Sequence, residues 1–114
     1  MNPTQFLPML TRVLEEVNQV SLPGLGFTRP SYSEEESRAH ECVANICEAL
    51  GLQIHRDPAG NLFARLPGRK RSLPAVHIGS HLDTVSQGGA YDGTVGVAAA
   101  VALAAWFSKR GHQP

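Results

Sequence analysis

The sequence feature that most constrains the fold is a short apolar run, Ala75-Val76-His77-Ile78-Gly79-Ser80, which directly follows Pro74. Its length and its hydrophobicity are typical of a β-strand in the centre of a sheet. Strands that are buried on both faces occur in sheets that helices cover on each side, so the run favours an α/β architecture. His77 is then expected to be a core histidine with a satisfied hydrogen bond rather than a ligand.

Two helices are predicted before this strand. The first has apolar residues at helical spacing, with Asn2 as its cap and Pro3 in its first turn. The second begins at a capping box, in which the side chains of Ser33 and Glu36 each accept a hydrogen bond from the other residue's backbone N–H. Gly51 ends this helix, because glycine readily adopts the left-handed conformation that follows many helices.

A hairpin and a third helix complete the pattern. Residues 52–55 alternate between apolar and polar side chains, residues 57–61 have the composition of a turn, and residues 62–66 return as a second strand. The last helix is predicted to run from Asp92 to residue 109 or 110, and its small residues would let it lie close against a sheet. The order is therefore helix, helix, strand, strand, strand, helix, and the fold class is α/β.

Composition and charge exclude several classes of protein. Ten basic residues balance ten acidic ones among 114, and 42% of the residues are hydrophobic. This balance argues against a disordered tail and against a nucleic-acid-binding protein. The most apolar run, Val95 to Phe107, is shorter than the roughly 20 residues that cross a bilayer, so no membrane partner is expected. Cys42 and Cys47 are expected to be free thiols, which favours a cytoplasmic location.

Three residues near the end of the predicted central strand could carry chemistry. His81 follows the strand directly, at the edge where open α/β sheets place their sites, and Asp83 is close enough to accept a hydrogen bond from its imidazole. Asp92 precedes the last helix, after a glycine-bearing loop, and can turn back toward His81. Such nitrogen and oxygen donors suit zinc or manganese. A His-x-Asp pair alone is equally compatible with a hydrogen-bonded histidine at a strand end.

The full string around these residues is more specific. Gly-Ser-His-x-Asp-Thr-Val over residues 79–85, followed by Gly-Gly-x-x-Asp-Gly over residues 88–93, resembles the metal-binding signature of the dinuclear zinc amidohydrolases related to aminoacylases and carboxypeptidases. Within that clan it is similar to the hydantoinase/carbamoylase branch: N-carbamoyl-L-amino-acid hydrolases, allantoate amidohydrolases and β-ureidopropionases. Residues 27–33 and 57–62 resemble the same branch, so the resemblance covers nearly the whole chain.

The resemblance implies a role for each of the three residues. His81 would be a ligand of one metal ion, Asp92 would bridge two, and Asp83 would be the catalytic-site carboxylate that orients His81. It also implies two divalent ions, zinc or manganese, and hydrolysis of a C–N bond in a small carbamoyl or ureido substrate by a metal-activated water. The parent enzyme is expected to be a homodimer.

The sequence also departs from the pattern of that branch. The glutamate general base, the metal-binding glutamate next to it, two further histidine ligands and the lid or dimerisation domain do not follow Asp92. Residues 1–114 are therefore expected to be the N-terminal part of a metallohydrolase catalytic domain that binds metal poorly and is inactive alone.

The alternative is a stand-alone, non-catalytic α/β domain for binding or interaction, or the remnant of a broken gene. In either case the exposed edge of the sheet is expected to promote self-association.

Overall fold

The structure, a computed structural model, describes residues 2–114. Three helices and one hairpin account for the regular structure of these residues. Their bounds are α1 (Pro3–Asn18), α2 (Glu34–Ala49), β1 (Gln53–Arg56), β2 (Leu62–Arg65) and α3 (Thr94–Lys109). The α/β fold class predicted from the sequence is confirmed.

The first two helices start at the predicted caps. The Asn2 side chain accepts a hydrogen bond of 3.0 Å from the backbone N–H of Thr4, and Pro3 occupies the first turn of α1. The Ser33 hydroxyl accepts a bond of 3.2 Å from the Glu36 N–H at the start of α2. The Glu36 carboxylate accepts from Tyr32 rather than from Ser33. The capping box is thus formed with its second bond displaced by one residue.

The hairpin is also confirmed. Strands β1 and β2 pair antiparallel, with Ile54 opposite Ala64 and His55 opposite Phe63. Asp57 stabilises the turn between them, because its carboxylate accepts hydrogen bonds from the side chain and the backbone of Asn61. These bonds lower the pKa of Asp57 below its usual value.

The core lies where α1 packs against both α2 and α3. Its members are buried aliphatic side chains and one thiol from all three helices, together with two residues from the connections between them. The main buried residues are Val13, Val17, Ala39, Val43, Ile46, Cys47, Leu52, Leu82, Ala98 and Val101. Cys47 is a free thiol, and burial raises its pKa to about 11.

The predicted central strand is wrong for the described residues. Residues 74–80, called the open segment below, form no strand, and the side chains of Val76 and Ile78 are 97% and 64% exposed. Within residues 2–114 the sheet contains only β1 and β2, so the open segment has no neighbouring strand to pair with its backbone. Its peptide groups therefore face solvent.

The expectation of a core histidine at position 77 is wrong as well. His77 is exposed on the open segment, and its ring lies edge-on to the ring of Phe63 at 6.2 Å between centroids. Across the described part of the chain, no helix is both long enough and apolar enough to cross a membrane.

Helix α3 begins two residues later than predicted. Gly93 occupies the cap position with φ +73°, a backbone conformation that glycine adopts without a steric penalty. Asp92 therefore lies outside the helix, and its carbonyl accepts a hydrogen bond of 2.9 Å from the N–H of Thr94. This turn sets the direction in which the Asp92 side chain leaves the backbone.

Candidate metal site

The structure brings His81, Asp83 and Asp92 together around one imidazole ring. The Nδ1 atom of His81 lies 3.0 Å from Oδ1 of Asp83, and its Nε2 atom lies 3.6 Å from Oδ1 of Asp92. All three residues belong to residues 81–93, called the site loop below, which joins the open segment to α3. Each ring nitrogen of His81 thus faces a different carboxylate.

Asp83 is held in place from two sides. Its Oδ1 atom faces His81, and its Oδ2 atom accepts a hydrogen bond of 2.5 Å from the Ser31 hydroxyl. The Ser31 bond, followed by the nearby His81 ring, holds the pKa of Asp83 below its usual value. An ionised carboxylate at Nδ1 favours the imidazole tautomer with the proton on Nδ1, which leaves the Nε2 lone pair directed away from Asp83.

The distance between His81 Nε2 and Asp92 suits two ligands of one ion better than a hydrogen bond. Two ligands of a tetrahedral zinc ion lie about 3.4 Å apart, since zinc–nitrogen and zinc–oxygen distances are about 2.0–2.2 Å. The observed 3.6 Å is close to this spacing and longer than an ordinary hydrogen bond. This spacing is compatible with both atoms contacting one divalent cation.

The donor set is nevertheless incomplete. A structural or catalytic zinc ion takes at least three protein ligands. Residues 2–114 contain no group of three or more His, Cys, Asp and Glu side chains arranged to hold a metal ion. His81 and Asp92 together provide two ligands, while Asp83 is engaged with His81.

Two glycines allow α3 to approach the site closely. A Cβ atom on Gly93 would overlap the His81 ring and would lie 2.6 Å from the His81 carbonyl oxygen. A Cβ atom on Gly96 would lie 2.7 Å from Cβ of Ser80. The close approach expected of the small residues in α3 is therefore observed, but the partners are Ser80 and His81 rather than a sheet.

Ser31 and Arg29 are functional candidates that sequence reasoning did not single out. Ser31 contacts Asp83 as described, and the Arg29 side chain is fully buried beneath the site loop. Both residues lie in the segment 27–33 that resembles the hydantoinase/carbamoylase branch. That resemblance was a signal for the segment, but it did not show which of its side chains reach the site loop.

A groove opens beside the site between α2 and α3. Its volume is about 810 Å³, and Ser31, His81 and Asp83 lie along it together with the open segment. Apolar side chains of the two helices, including Val43 and Val97, form much of its lining. The groove is large enough for a small organic molecule, and the polar groups of the site are at one side of it.

Comparisons with known proteins define the class of this fold. The family model described as Peptidase family M28 matches residues 61–114, the part that contains His81, Asp83 and Asp92. An amidase of the hydantoinase/carbamoylase family from Burkholderia ambifaria superimposes with a TM-score of 0.84 at 33% identity, covering 90% of this chain and 25% of that one. The fold of this chain is thus that of the corresponding part of a hydantoinase/carbamoylase amidase.

Curated relatives agree with the structural comparison. The N-carbamoyl-L-amino-acid amidohydrolase of Paenarthrobacter aurescens is 34% identical over 103 residues, which are 90% of this chain and 25% of that protein. The allantoate amidohydrolase of Bacillus subtilis is 41% identical over 76 residues, which are 67% of this chain and 18% of that protein. The predicted resemblance to this group of amidohydrolases is confirmed. The chain spans about a fifth to a quarter of the length of the curated relatives that it matches.

Proposed function

We propose that this chain is the N-terminal part of the catalytic domain of a metal-dependent amidohydrolase. The reaction is hydrolysis of a C–N bond in an N-carbamoyl or ureido compound, such as an N-carbamoyl-L-amino acid or allantoate. The observation that carries the proposal is the arrangement of His81, whose Nε2 atom lies 3.6 Å from Asp92 while Asp83 engages Nδ1. Relatives named for these two substrate classes support it.

His81 and Asp92 are the residues that would hold the cations. His81 offers one nitrogen to one ion, whereas the Asp92 carboxylate has two oxygens and its side chain is 75% exposed, so it is accessible to a second ion. When bound, two zinc or manganese ions would lower the pKa of a water molecule and polarise the carbonyl of the substrate.

Asp83 acts through His81 rather than on the substrate. By accepting a hydrogen bond from Nδ1 it fixes the ring orientation and makes Nε2 a better donor. Ser31 in turn fixes the rotation of the Asp83 carboxylate. This pair of contacts keeps the histidine preorganised for a cation.

The remaining ligands and the general base belong, in this proposal, to a longer polypeptide. The resemblance implies a glutamate base, an adjacent glutamate ligand and two more histidines, and residues 2–114 provide only two donors at the site. We therefore expect this chain alone to bind divalent ions weakly and to be inactive. Its groove of about 810 Å³ would form one wall of the substrate site.

The oligomeric state and the cellular location of the parent enzyme are also proposals. The resemblance implies a homodimeric parent enzyme, and the free thiols at Cys42 and Cys47 are compatible with a cytoplasmic location.

The experiment that tests the proposal is a hydrolysis assay on the native polypeptide, captured from its source cells with an antibody against residues 2–114. We expect a band several times larger than 12.2 kDa on a denaturing gel and release of product from an N-carbamoyl-L-amino acid or from allantoate. A chelator should abolish the activity, and zinc or manganese should restore it. A band at 12.2 kDa without hydrolysis would support the stand-alone binding domain instead.

A further inference from the structure

The charged side chain of Arg29 is buried next to the candidate site. It is 0% exposed, and its Nε atom donates a hydrogen bond of 2.5 Å to the carbonyl oxygen of Leu82. Its Nη2 atom donates a bond of 3.1 Å to the hydroxyl of Thr94. Leu82 lies between His81 and Asp83, and Thr94 is separated from Asp92 only by Gly93. One planar guanidinium therefore contacts the start of the site loop and the first residue after its end.

The same guanidinium is anchored to α1. Its Nη1 atom donates to the carbonyl oxygens of Val17 and Val20, at 3.2 Å and 2.7 Å. Val17 is itself fully buried in the core. The guanidinium thus connects the site loop to a residue of the buried core.

The backbone of Arg29 adds a second connection. Its N–H donates to the Thr84 hydroxyl at 2.9 Å, and its carbonyl accepts from the Thr84 N–H at 2.8 Å. These bonds hold residue 84 in place whatever side chain stands at position 29. A substitution of the side chain would therefore change the contacts to Leu82 and Thr94 while leaving this backbone connection available.

Arginine is the side chain that suits this position. Its guanidinium carries donors in a fixed planar fork, so contacts in several directions fix angles as well as distances. Lysine would keep the charge, but its single ammonium on a flexible stem cannot reproduce the fork. Burying a charge is costly, and here the cost is offset by hydrogen bonds to three carbonyls and one hydroxyl.

We propose that Arg29 is a positioning residue that sets the separation between His81 and Asp92 by bracing Leu82 and Thr94 against the end of α1. The consequence for metal affinity rests on the proposed function, whereas the geometry can be tested without a metal. In this account Arg29 contacts neither a cation nor a substrate.

The test is an NMR measurement on residues 1–114 and the variants Arg29→Lys and Thr94→Val. The Gly93 position that a Cβ atom would occupy is in contact with Cε1 of His81, so we expect a strong NOE between the Gly93 Hα and His81 Hε1 protons. The NOE should be lost or sharply weakened in both variants. Val43→Ala is the matched control, because it destabilises the buried core on α2 without contacting the brace.

The second readout uses Mn²⁺ alone as the probe. Broadening of amide signals near His81 and Asp92 should require roughly 10-fold or more Mn²⁺ in Arg29→Lys than in Val43→Ala, the usual cost of losing a group that orients a ligand. If Arg29→Lys does not fold, the Thr94→Val variant provides the test. It removes only the hydroxyl that accepts from Nη2 and keeps the shape of the residue 94 side chain.

The outcomes separate the two proposals. An unchanged NOE in the folded variants would overturn the positioning role, because a residue that only stabilises the fold would leave the ring in place, as is expected of Val43→Ala. Suppose that the NOE is lost in both variants and that Mn²⁺ causes no broadening in the wild type. This result would support the positioning role of Arg29 and contradict the metal site.

Discussion

The site loop and the open segment are neighbours in the chain, yet they differ in how they are held. The site loop contains the buried Leu82. Its backbone forms hydrogen bonds with the backbone of Phe27 and Arg29, and the Arg29 side chain donates to the Leu82 carbonyl oxygen. The open segment exposes Val76 and Ile78 and pairs with no strand among residues 2–114. Among residues 2–114, the backbone of the site loop has hydrogen-bond partners and the backbone of the open segment has none.

This difference shows that local hydrophobicity alone does not make a segment form a β-strand. Both regions carry residues that favour burial, but a strand needs a neighbouring strand for its peptide groups. The site loop instead uses one buried arginine and short bridges such as Phe27 with Gly88. The predictions below test, in order of decreasing effect, how far this contrast holds.

The largest effect is expected from Arg29→Met. The substitution leaves the carbonyls of Val20 and Leu82 and the Thr94 hydroxyl without the guanidinium donor, whereas the Val17 carbonyl keeps its bond from the Val20 N–H. We expect a loss of roughly 3 kcal/mol or more in the free energy of unfolding, since each unsatisfied buried group costs about 1–3 kcal/mol. Urea denaturation measures it. Arg12→Met, at an exposed arginine paired with Glu16, should change stability little.

A smaller but more local effect is expected from Gly93→Ala. The new Cβ atom would overlap the His81 ring, and the positive φ of 73° would strain the backbone by about 1–3 kcal/mol. We expect the Gly93–His81 contact to be lost and Mn²⁺ binding to weaken, both measured by NMR. Gly89→Ala is the control, because nothing lies within 4 Å of its Cβ position. Equal effects of the two variants would contradict the close packing.

The open segment is expected to drive self-association. Its exposed Val76 and Ile78 lie on backbone without strand partners, which is a template for pairing with a second copy. We expect the mass from light scattering to rise with concentration and to fall toward that of a monomer in Val76→Lys/Ile78→Lys. Leu25→Lys, at another exposed apolar residue, should leave the association unchanged. A wild-type monomer at high concentration would show that the segment is not a pairing edge.

The smallest effect is expected from Ser31→Ala. The Ser31 bond is the largest cause of the lowered pKa of Asp83, so its removal should raise that pKa toward the usual value. A lowered folded-state pKa contributes stability above the unfolded value, near pH 4, and this contribution is lost as the pH falls through the folded value.

The variant should therefore be less stable than wild type at pH 7, by less than about 1 kcal/mol, and the difference should shrink at acidic pH. Denaturation at several pH values measures it. Ser86→Ala, at an exposed serine of the site loop, should show no such pH dependence.

Much of the fold could be predicted from local chemistry. The caps at Asn2 and Ser33, the hairpin around Asp57 and the three helices depend on contacts between residues close in sequence, and the structure confirms them. The strand at 75–80 depended on partners far along a chain, and no local pattern reveals whether those partners are present. Helix α3 starts after Gly93, whose φ of +73° places it at the cap position, and the helical pattern of the sequence does not reveal that conformation.

The site was predictable in part for the same reason. The motif string identified His81, Asp83 and Asp92, and the structure places each carboxylate within 3.6 Å of a ring nitrogen of His81. Their roles as ligands and orienting carboxylate stay predictions. Arg29 and Ser31 escaped notice because they reach the site loop from more than 50 residues away, at Leu82 and Asp83 respectively.

The most direct test of the central claim, that His81 and Asp92 form part of a cation site, is a map of Mn²⁺-induced broadening on the amide signals of residues 1–114. We predict broadening centred on the site loop in the wild type and its loss in His81→Ala and Asp92→Asn, with His112→Ala as the unaffected control. Broadening that persists around His81 in both variants, or that never appears there, would contradict the claim.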